Sequence, residues 1–248
     1  KTGVFKALHQ VSFDIHSGET WGVIGESGSG KTTLGKTLCR LLPATSGQIL
    51  WQGKNISSLA EKEFHPVRKE IQIIFQDPYR SLNPRWNLFS LVSEGLVHFH
   101  PELTKADIRE KVENILIQVG LSPSDLHKYP HEFSCGQRQR IAIARAMILK
   151  PRVVICDEIV SALDLSIRGQ IINLLKTMKD FYQLSYLFIS HDLPLVEMVS
   201  DKILVMYAGH VVEIFHHKSS LKNALHPYTL LLMETAKPFT PSLKTPAV

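Results

Sequence analysis

The chain has 248 residues, of which 44% are hydrophobic and 21% are charged, and its formal net charge at pH 7 is +5. This balance excludes a disordered, collagen-like or low-complexity chain, and no apolar stretch reaches the roughly 18 residues that a membrane span needs. The first ten residues lack a signal-peptide core, and the three cysteines form neither a CxxC pair nor a disulfide framework. We therefore expect a soluble, cytosolic globular protein whose small basic excess suits an anionic ligand or a membrane surface.

Short apolar runs alternate with amphipathic stretches along the chain, which is typical of a sheet covered by helices. Strands are predicted at 11–15, 20–25, 47–51, 71–75, 153–156, 186–189 and 203–207, with a polar hairpin between the third and the fourth. Helices are predicted at 31–42, 104–120, 137–149 and 167–181. Because the apolar strands lack polar alternation, we expect a sheet that is buried on both faces.

The helical pattern is clearest at 104–120, where Thr104 suits the N-cap and Asp107 follows three residues later. One face of this helix carries the apolar side chains of Ile108, Val112, Ile115, Leu116 and Val119. We predict that the section from about 82 to 137 is mainly helical, and we interpret it as a subdomain inserted into a domain that spans 1–236. The tail 237–248 is rich in Pro, Thr and Lys and is predicted to be flexible.

Eight consecutive residues match the phosphate-binding pattern GxxxxGK[ST] at every fixed position, and they are Gly25, Glu26, Ser27, Gly28, Ser29, Gly30, Lys31 and Thr32. They follow an apolar strand and open a helix, a context that favours this motif over a plain Gly/Ser loop. Backbone N–H groups and the helix N-terminus attract phosphate oxygens there. Lys31 is expected to contact the β- and γ-phosphates, and the Thr32 hydroxyl to ligate Mg²⁺. The sequence therefore predicts a nucleoside triphosphate site, with Thr33 also among its residues.

Two acids, Asp157 and Glu158, follow the apolar strand 153–156. Asp157 can hold Mg²⁺ through water, and Glu158 can act as a general base on the attacking water. The alternative interpretation is that both acids are simply solvated at the strand end. The phosphate loop upstream makes this interpretation less favoured. His191 ends the next apolar strand, and because the carboxyl ends of parallel strands converge on one crevice, it can reach the γ-phosphate. Taken alone, His191 would be an ordinary surface histidine.

Together these motifs resemble the ATP-binding subunit of an ABC transporter, and the resemblance runs from about residue 4 to 233. The motifs that follow the phosphate loop occur in the family's order, at 75–78 (FQDP), 133–137 (FSCGQ), 157–158 (DE), 161–164 (SALD) and 189–191 (ISH). The resemblance implies an α/β P-loop NTPase fold with a mainly parallel core sheet, an N-terminal antiparallel β portion and an inserted α-helical subdomain. It also implies ATP and Mg²⁺ as ligands and an ATPase activity.

The resemblance implies a role for each motif residue. Gln76 corresponds to the Q-loop glutamine, which contacts Mg²⁺ and senses the membrane subunits. The signature motif completes the ATP site of a partner subunit, and its residues here are Ser134, Cys135, Gly136 and Gln137. Asp164 corresponds to the D-loop aspartate at the subunit interface, and His191 to the switch histidine. Phe5 corresponds to the aromatic residue that stacks on adenine, although it could equally pack in the core.

Cys135 stands where relatives usually have the first glycine of the signature. A Cβ there would cost stability if the position needs a positive φ, and it could crowd the nucleotide of the partner subunit. We therefore hypothesise that the ATP site completed by this signature is somewhat weakened. Gly136, the second glycine, is retained.

Two further segments narrow the resemblance to bacterial dipeptide and oligopeptide importers. They are residues 75–85 (FQDPYRSLNPR) and 226–229 (HPYT). Related importers for nickel and for cationic antimicrobial peptides share both segments, so these substrates remain an alternative. The second segment could also be a terminal amphipathic helix without a specific role.

The resemblance implies a peripheral subunit on the cytoplasmic face of the bacterial inner membrane, where it would drive peptide import by ATP-dependent dimer closure. The expected partners are a second ATP-binding subunit, in a heterodimer, and two membrane permease subunits, with a solute-binding protein acting indirectly. An ABC ATPase that acts on nucleic acid or ribosomes is the less favoured alternative, because the chain encodes no tandem cassette, zinc module or long coiled coil. No nucleic acid partner is expected. A GTPase is disfavoured because no NKxD sequence is present.

Overall fold

The computed structural model describes residues 6–236, in which eight strands and nine α-helices are found. The strands are β1 (Thr20–Ile24), β2 (Leu50–Trp51), β3 (Lys54–Asn55), β4 (Ile71–Ile74), β5 (Val153–Asp157), β6 (Ser185–Ser190), β7 (Lys202–Tyr207) and β8 (His210–Phe215). The helices are α1 (Lys31–Leu38), α2 (Glu61–Glu70), α3 (Pro78–Ser81), α4 (Leu88–Phe99), α5 (Lys105–Gln118), α6 (Cys135–Met147), α7 (Leu165–Tyr182), α8 (Leu193–Val199) and α9 (Pro227–Thr235).

A six-stranded sheet organises these elements, with the strand order β4-β5-β6-β1-β7-β8. The first five strands in this order are parallel, and β8 joins the edge antiparallel to β7. A separate antiparallel pair, β2 and β3, lies between α1 and α2 in the chain. The predicted α/β class, with a mainly parallel core sheet and an N-terminal antiparallel β portion, is confirmed. Because β4, β5, β6 and β1 run in the same direction, their carboxyl ends lie along one edge of the sheet.

Both faces of this sheet are buried, as the apolar strands predict. Along β6, Tyr186 and Phe188 belong to one hydrophobic cluster, whereas Leu187 and Ile189 belong to the other. Strand neighbours point to opposite faces, so each face of β6 contributes to a separate core. Burying apolar side chains on both faces stabilises the sheet by about 25 cal/mol for each Å² removed from water.

The segment between β4 and β5 is mainly helical and contains α3, α4, α5 and α6. In α5, Thr104 accepts a hydrogen bond from the Asp107 N–H group, and the Asp107 carboxylate accepts one from the Thr104 N–H group. Val112 and Leu116 of this helix are fully buried, as the periodicity predicts. The division of 1–236 into a core and an inserted subdomain at about 82–137 stays a prediction. The tail 237–248 lies outside the described residues.

Two predicted elements differ from the observed ones near the N-terminus. Residues 11–15 form no strand, because no neighbouring strand among residues 6–236 pairs with them. The side chains of Val11, Phe13 and Ile15 instead pack on the hydrophobic cluster that contains Leu187 and Ile189. The predicted helix 31–42 ends earlier, at Leu38, because Arg40 adopts a left-handed conformation with φ 52°.

The predicted polar hairpin between 51 and 71 is incomplete, since it also contains the ten-residue helix α2. Pro66 lies inside α2 and Phe64 is its one buried residue, so the apolar period that would have predicted a helix is weak. The sequence predicts no element at β8 or α8, and it covers α4 only through the prediction that 82–137 is mainly helical. Across residues 6–236, none of the helices is both long enough and apolar enough to span a membrane.

Candidate active site

The phosphate loop connects the end of β1 to the start of α1, as the sequence predicts. Gly25 passes so close to β7 that a Cβ built on it would lie 2.2 Å from the Met206 carbonyl oxygen, which explains the glycine. The space beside Gly28 is open, since a Cβ built there meets no heavy atom within 4 Å. The loop is therefore closely packed at Gly25 and open at Gly28, which leaves room for phosphate groups beside its backbone N–H groups.

Lys31 lies at the centre of this loop and is only 4% exposed. Its Nζ donates hydrogen bonds to the carbonyl oxygens of Gly25, at 2.6 Å, and Glu26, at 2.7 Å. Burial lowers the pKa of Lys31, while the nearby carboxylates of Glu158, Asp157 and Glu26 oppose that shift. The loop thus holds a buried amine whose charge is favoured by the surrounding acids.

Asp157, the last residue of β5, is 3% exposed and accepts a hydrogen bond from the Thr32 hydroxyl at 2.9 Å. Burial raises its pKa, the Thr32 bond lowers it, and repulsion by Glu158 raises it further. Hydroxyl and carboxylate oxygens at a strand end are donors that suit Mg²⁺. No cluster of three or more His, Cys, Asp and Glu residues within 6–236 could hold a metal. Mg²⁺ typically takes only one or two protein carboxylates together with phosphates and water, so this donor pair fits it.

Glu158 adopts the left-handed conformation, with φ 48°, directly after β5. Its N–H group donates to the Ile189 carbonyl oxygen at 2.9 Å, and its own carbonyl oxygen accepts from the Ser161 hydroxyl at 2.9 Å. A non-glycine residue in this conformation costs about 1–3 kcal/mol and persists where its surroundings hold it. The turn directs the Glu158 carboxylate out of the sheet, where it is 15% exposed.

The Glu158 carboxylate joins two predicted site residues. Its Oε2 atom accepts a hydrogen bond from the Gln76 amide at 2.9 Å and lies 3.4 Å from His191 Nδ1. Gln76 follows β4 and His191 follows β6, so three neighbouring strand ends meet at one oxygen. This geometry can hold a carboxylate in position to take a proton from water.

The signature segment lies at the start of α6 and, within residues 6–236, makes no hydrogen bond to the side chains of Glu158, Gln76 or His191. Ser134 caps the helix by accepting from the Gln137 N–H group at 3.2 Å, and the Gln137 side chain accepts from the Ser134 N–H group at 2.9 Å. Ser134, Cys135 and Gln137 are exposed. Gly136 is buried against α7, since a Cβ built on it would lie 2.8 Å from Ile167 Cγ2.

Cys135 is the first residue of α6 and is not among the described residues with a positive φ. The condition under which its Cβ would strain the backbone is therefore not met, and only the crowding of a partner's nucleotide remains from that hypothesis. Asp164 is exposed and caps the start of α7 without a side-chain hydrogen bond. Phe5 lies outside the described residues, and its contact with adenine stays a prediction.

Residues 8–161 match the sequence family described as ABC transporter. This chain belongs to that family. We call the chain the cassette from here on. It is an ATP-binding protein with an ABC-type ATPase activity and the α/β P-loop fold.

The cassette's relatives include two proteins named for oligopeptide transport. The oligopeptide transport ATP-binding protein OppF of Haemophilus influenzae is 46% identical, over 98% of this chain and 74% of the relative. AppF of Bacillus subtilis, which carries the same description, is 50% identical over 95% of this chain and 71% of the relative. Among solved structures, the ATP-binding cassette MJ0796, a dimer in a post-hydrolysis state with ADP and Pi, has a TM-score of 0.78. It is 25% identical, over 86% of this chain and 92% of that chain.

Two contacts near the cassette's site were not predicted. Arg168 of α7 pairs with Asp192 at 3.0 Å, which ties the residue after His191 to a neighbouring helix. Glu26 of the phosphate loop donates its N–H to the Tyr228 hydroxyl at 2.7 Å. The HPYT segment marks Tyr228 as part of a shared pattern, but nothing in the sequence indicates contact with the loop.

Proposed function

We propose that this cassette is the energy-coupling ATPase of a bacterial importer for oligopeptides. Two relatives named for oligopeptide transport, at 46% and 50% identity over nearly the whole chain, support this substrate class. Segments 75–85 and 226–229, which resemble those of peptide importers, support it as well. The peptide itself does not contact this chain in the proposal, because the cassette acts by coupling ATP hydrolysis to membrane subunits.

The phosphate loop binds the triphosphate of ATP in this proposal. The N–H groups of residues 27–33 at the start of α1 attract phosphate oxygens, and Lys31 supplies a full positive charge. Thr32, Asp157 and Gln76 would hold Mg²⁺, which neutralises charge on the phosphates when bound. The Thr32–Asp157 hydrogen bond of 2.9 Å supports this assignment, because both oxygens already lie at one point of the sheet edge.

Glu158 is the general base in this proposal, and the observation that carries it is the convergence of Gln76 and His191 on one Glu158 oxygen. A carboxylate that is held from two sides can orient a water molecule and accept its proton. His191, which is 56% exposed, remains free to turn toward the γ-phosphate. Proton acceptance by a positioned side chain contributes about 10²–10⁴-fold to a rate.

The signature segment serves a second subunit in this proposal. Ser134, Cys135 and Gln137 are exposed, and the dimeric neighbour MJ0796 supports a two-subunit site. Ser134 to Gln137 and Asp164 of one subunit would meet the phosphate loop of the other. We propose a heterodimer with a homologous cassette, attached to two permease subunits on the cytoplasmic face of the inner membrane, with a solute-binding protein outside. Closure can drive transport only if its free energy differs between permease states.

The test is ATP hydrolysis and oligopeptide uptake by the assembled transporter in vesicles. Glu158→Gln should lower both rates by at least about 10²-fold, because the amide accepts no proton. Glu110→Gln, at an exposed position of α5, is the matched control and should keep the wild-type rates. Undiminished turnover in Glu158→Gln would remove the general-base assignment. Hydrolysis without oligopeptide uptake in the wild-type assembly would remove the proposed substrate class.

A further inference from the structure

Tyr228, in the first turn of α9, touches the phosphate loop from the far end of the chain. Its hydroxyl oxygen accepts a hydrogen bond from the Glu26 N–H group at 2.7 Å, across 202 positions of sequence. Tyr228 is 8% exposed, and its ring lies 4.5 Å from that of Tyr207, the last residue of β7. The phenol is therefore packed against the sheet edge and is not a mobile surface group.

The start of α9 is fixed by several hydrogen bonds. His226 caps the helix, and its Nδ1 accepts from the Tyr228 N–H group at 3.2 Å. Glu213 of β8 accepts from the Leu225 N–H group at 2.8 Å, which anchors the segment that precedes the helix. Pro227 is the first residue of α9, where its restricted φ suits a helix start. These contacts fix the position of Tyr228 independently of its contact with the loop.

The peptide group that joins Gly25 to Glu26 is held at both of its polar atoms. Its carbonyl oxygen accepts from Lys31 Nζ at 2.6 Å, and its N–H group donates to Tyr228 at 2.7 Å. A phosphate bound in the loop would compete for the Lys31 ammonium group, since a charged acceptor forms the stronger hydrogen bond. The Glu26 N–H group already donates to Tyr228, so phosphate oxygens would be bound by the other N–H groups of the loop, and the bond to Tyr228 can persist when phosphate binds.

The geometry points to Tyr228 as a positioning residue for the phosphate loop, which makes the HPYT segment part of the nucleotide site. This inference rests on the proposed binding of ATP by residues 25–33. A loop that is already held in its binding conformation loses less conformational freedom when the ligand binds. Removal of the phenol oxygen therefore weakens nucleotide binding without removing any group that touches the nucleotide. By linkage, bound nucleotide also stabilises the docking of α9.

The test is equilibrium binding of a fluorescent ATP analogue with Mg²⁺ to the full chain carrying Tyr228→Phe. We expect the Kd to rise about threefold to tenfold, the range expected for one lost hydrogen bond. In the assembled transporter, KM for ATP should rise similarly while kcat changes less than about twofold, because Tyr228 does not touch the reacting atoms. Tyr207→Phe is the matched control: its ring packs on Tyr228, but its hydroxyl makes no hydrogen bond to residues 6–236. It should keep the wild-type Kd.

Equal Kd values for Tyr228→Phe and Tyr207→Phe would overturn the inference, as would a loss of kcat with KM unchanged. Lys31→Ala, measured in parallel, separates this failure from that of the proposed function. If Lys31→Ala loses affinity and Tyr228→Phe does not, only the inference fails; if Lys31→Ala keeps its affinity, the proposed site itself is wrong. Amide exchange in the unmodified protein gives an independent check. The Glu26 N–H group should exchange more slowly than the neighbouring Ser27 N–H group, and equal rates would contradict the contact.

Discussion

Lys31 and Asp157 are 4% and 3% exposed, whereas Ser134 and Cys135 at the start of α6 are exposed. The first two lie in a group of side chains that are hydrogen-bonded to the loop or across strand ends, at the carboxyl edge of the sheet. The side chains of Ser134 and Gln137 form their hydrogen bonds within the cap of α6. The phosphate-loop half of the site, with Lys31 and Asp157, is thus buried and organised within one chain. The signature half, at the start of α6, is exposed to solvent. This difference is what a site shared between two subunits requires.

The buried half also carries an electrostatic cost that the exposed half lacks. Burial lowers the pKa of Lys31 and raises the pKa of Asp157, so in both cases the low-dielectric surroundings oppose the charged form. Bound phosphate and Mg²⁺ would add opposite charges to both groups. Substitutions in the buried half should therefore change nucleotide binding strongly, whereas those in the exposed half should change it little.

Lys31→Ala should give the largest effect on nucleotide binding. Loss of a buried cation that faces phosphate typically costs 2–5 kcal/mol, so we expect the affinity for ATP with Mg²⁺ to fall by about 30-fold or more. Lys62→Ala, at an exposed position of α2, is the control and should bind as the wild type does. The measurement is calorimetric titration of the full chain. Unchanged affinity in Lys31→Ala would contradict the role of the buried half.

Much of this buried half could be predicted from the sequence because its motifs are local. The phosphate loop needs only a strand, eight residues and a helix, and parallel strand ends meet at one edge whatever the details of packing. The left-handed Glu158 and the contact of Tyr228 with Glu26 could not be predicted, because each depends on distant chain segments. Residues 11–15 could not be assigned correctly for the same reason. Their alternating apolar and polar side chains indicate one buried face, but they do not show whether a neighbouring strand exists to pair with.

Asp157→Asn should raise the stability of the protein near pH 7. Because burial raises the pKa of Asp157, its charged form is disfavoured in the folded state, and this penalty is present only above the raised pKa. The substitution removes the penalty, so we expect the Tm to rise by about 1–3 °C near pH 7. The gain should vanish below about pH 3, where the carboxyl group is protonated in both folded and unfolded states.

Thermal unfolding at several pH values checks this prediction. Asp180→Asn, an exposed aspartate in α7, serves as the control and should show no gain. A lower Tm for Asp157→Asn near pH 7, or a gain that grows as the pH falls, would contradict the assigned cause of the pKa shift.

Cys135→Gly should give the smallest effect. Cys135 is already helical, so the glycine relieves no backbone strain, and only crowding of a partner's nucleotide can be relieved. We expect ATP turnover of the assembled transporter to rise by about twofold or less, since relief of a single mild contact is worth well under 1 kcal/mol. No change would remove the hypothesis that this signature is weakened.

Gly136→Ala is the matched contrast within the same segment. Its added Cβ would lie 2.8 Å from Ile167 Cγ2, so the Ile167 side chain or the two helices must shift. We expect the free energy of unfolding to fall by about 1–3 kcal/mol, as overpacking usually does. A Gly136→Ala protein as stable as Cys135→Gly would show that the two positions do not differ in burial as described.

The association state of Glu158→Gln most directly tests whether the ATP site is divided between two chains. The full-length variant is sedimented alone and with its partner subunit, in ATP with Mg²⁺ or in ADP. Since this substitution should leave binding intact and block hydrolysis, the account predicts a two-subunit species in ATP that dissociates in ADP. Sedimentation as a single subunit in every nucleotide condition, with and without the partner, would contradict it.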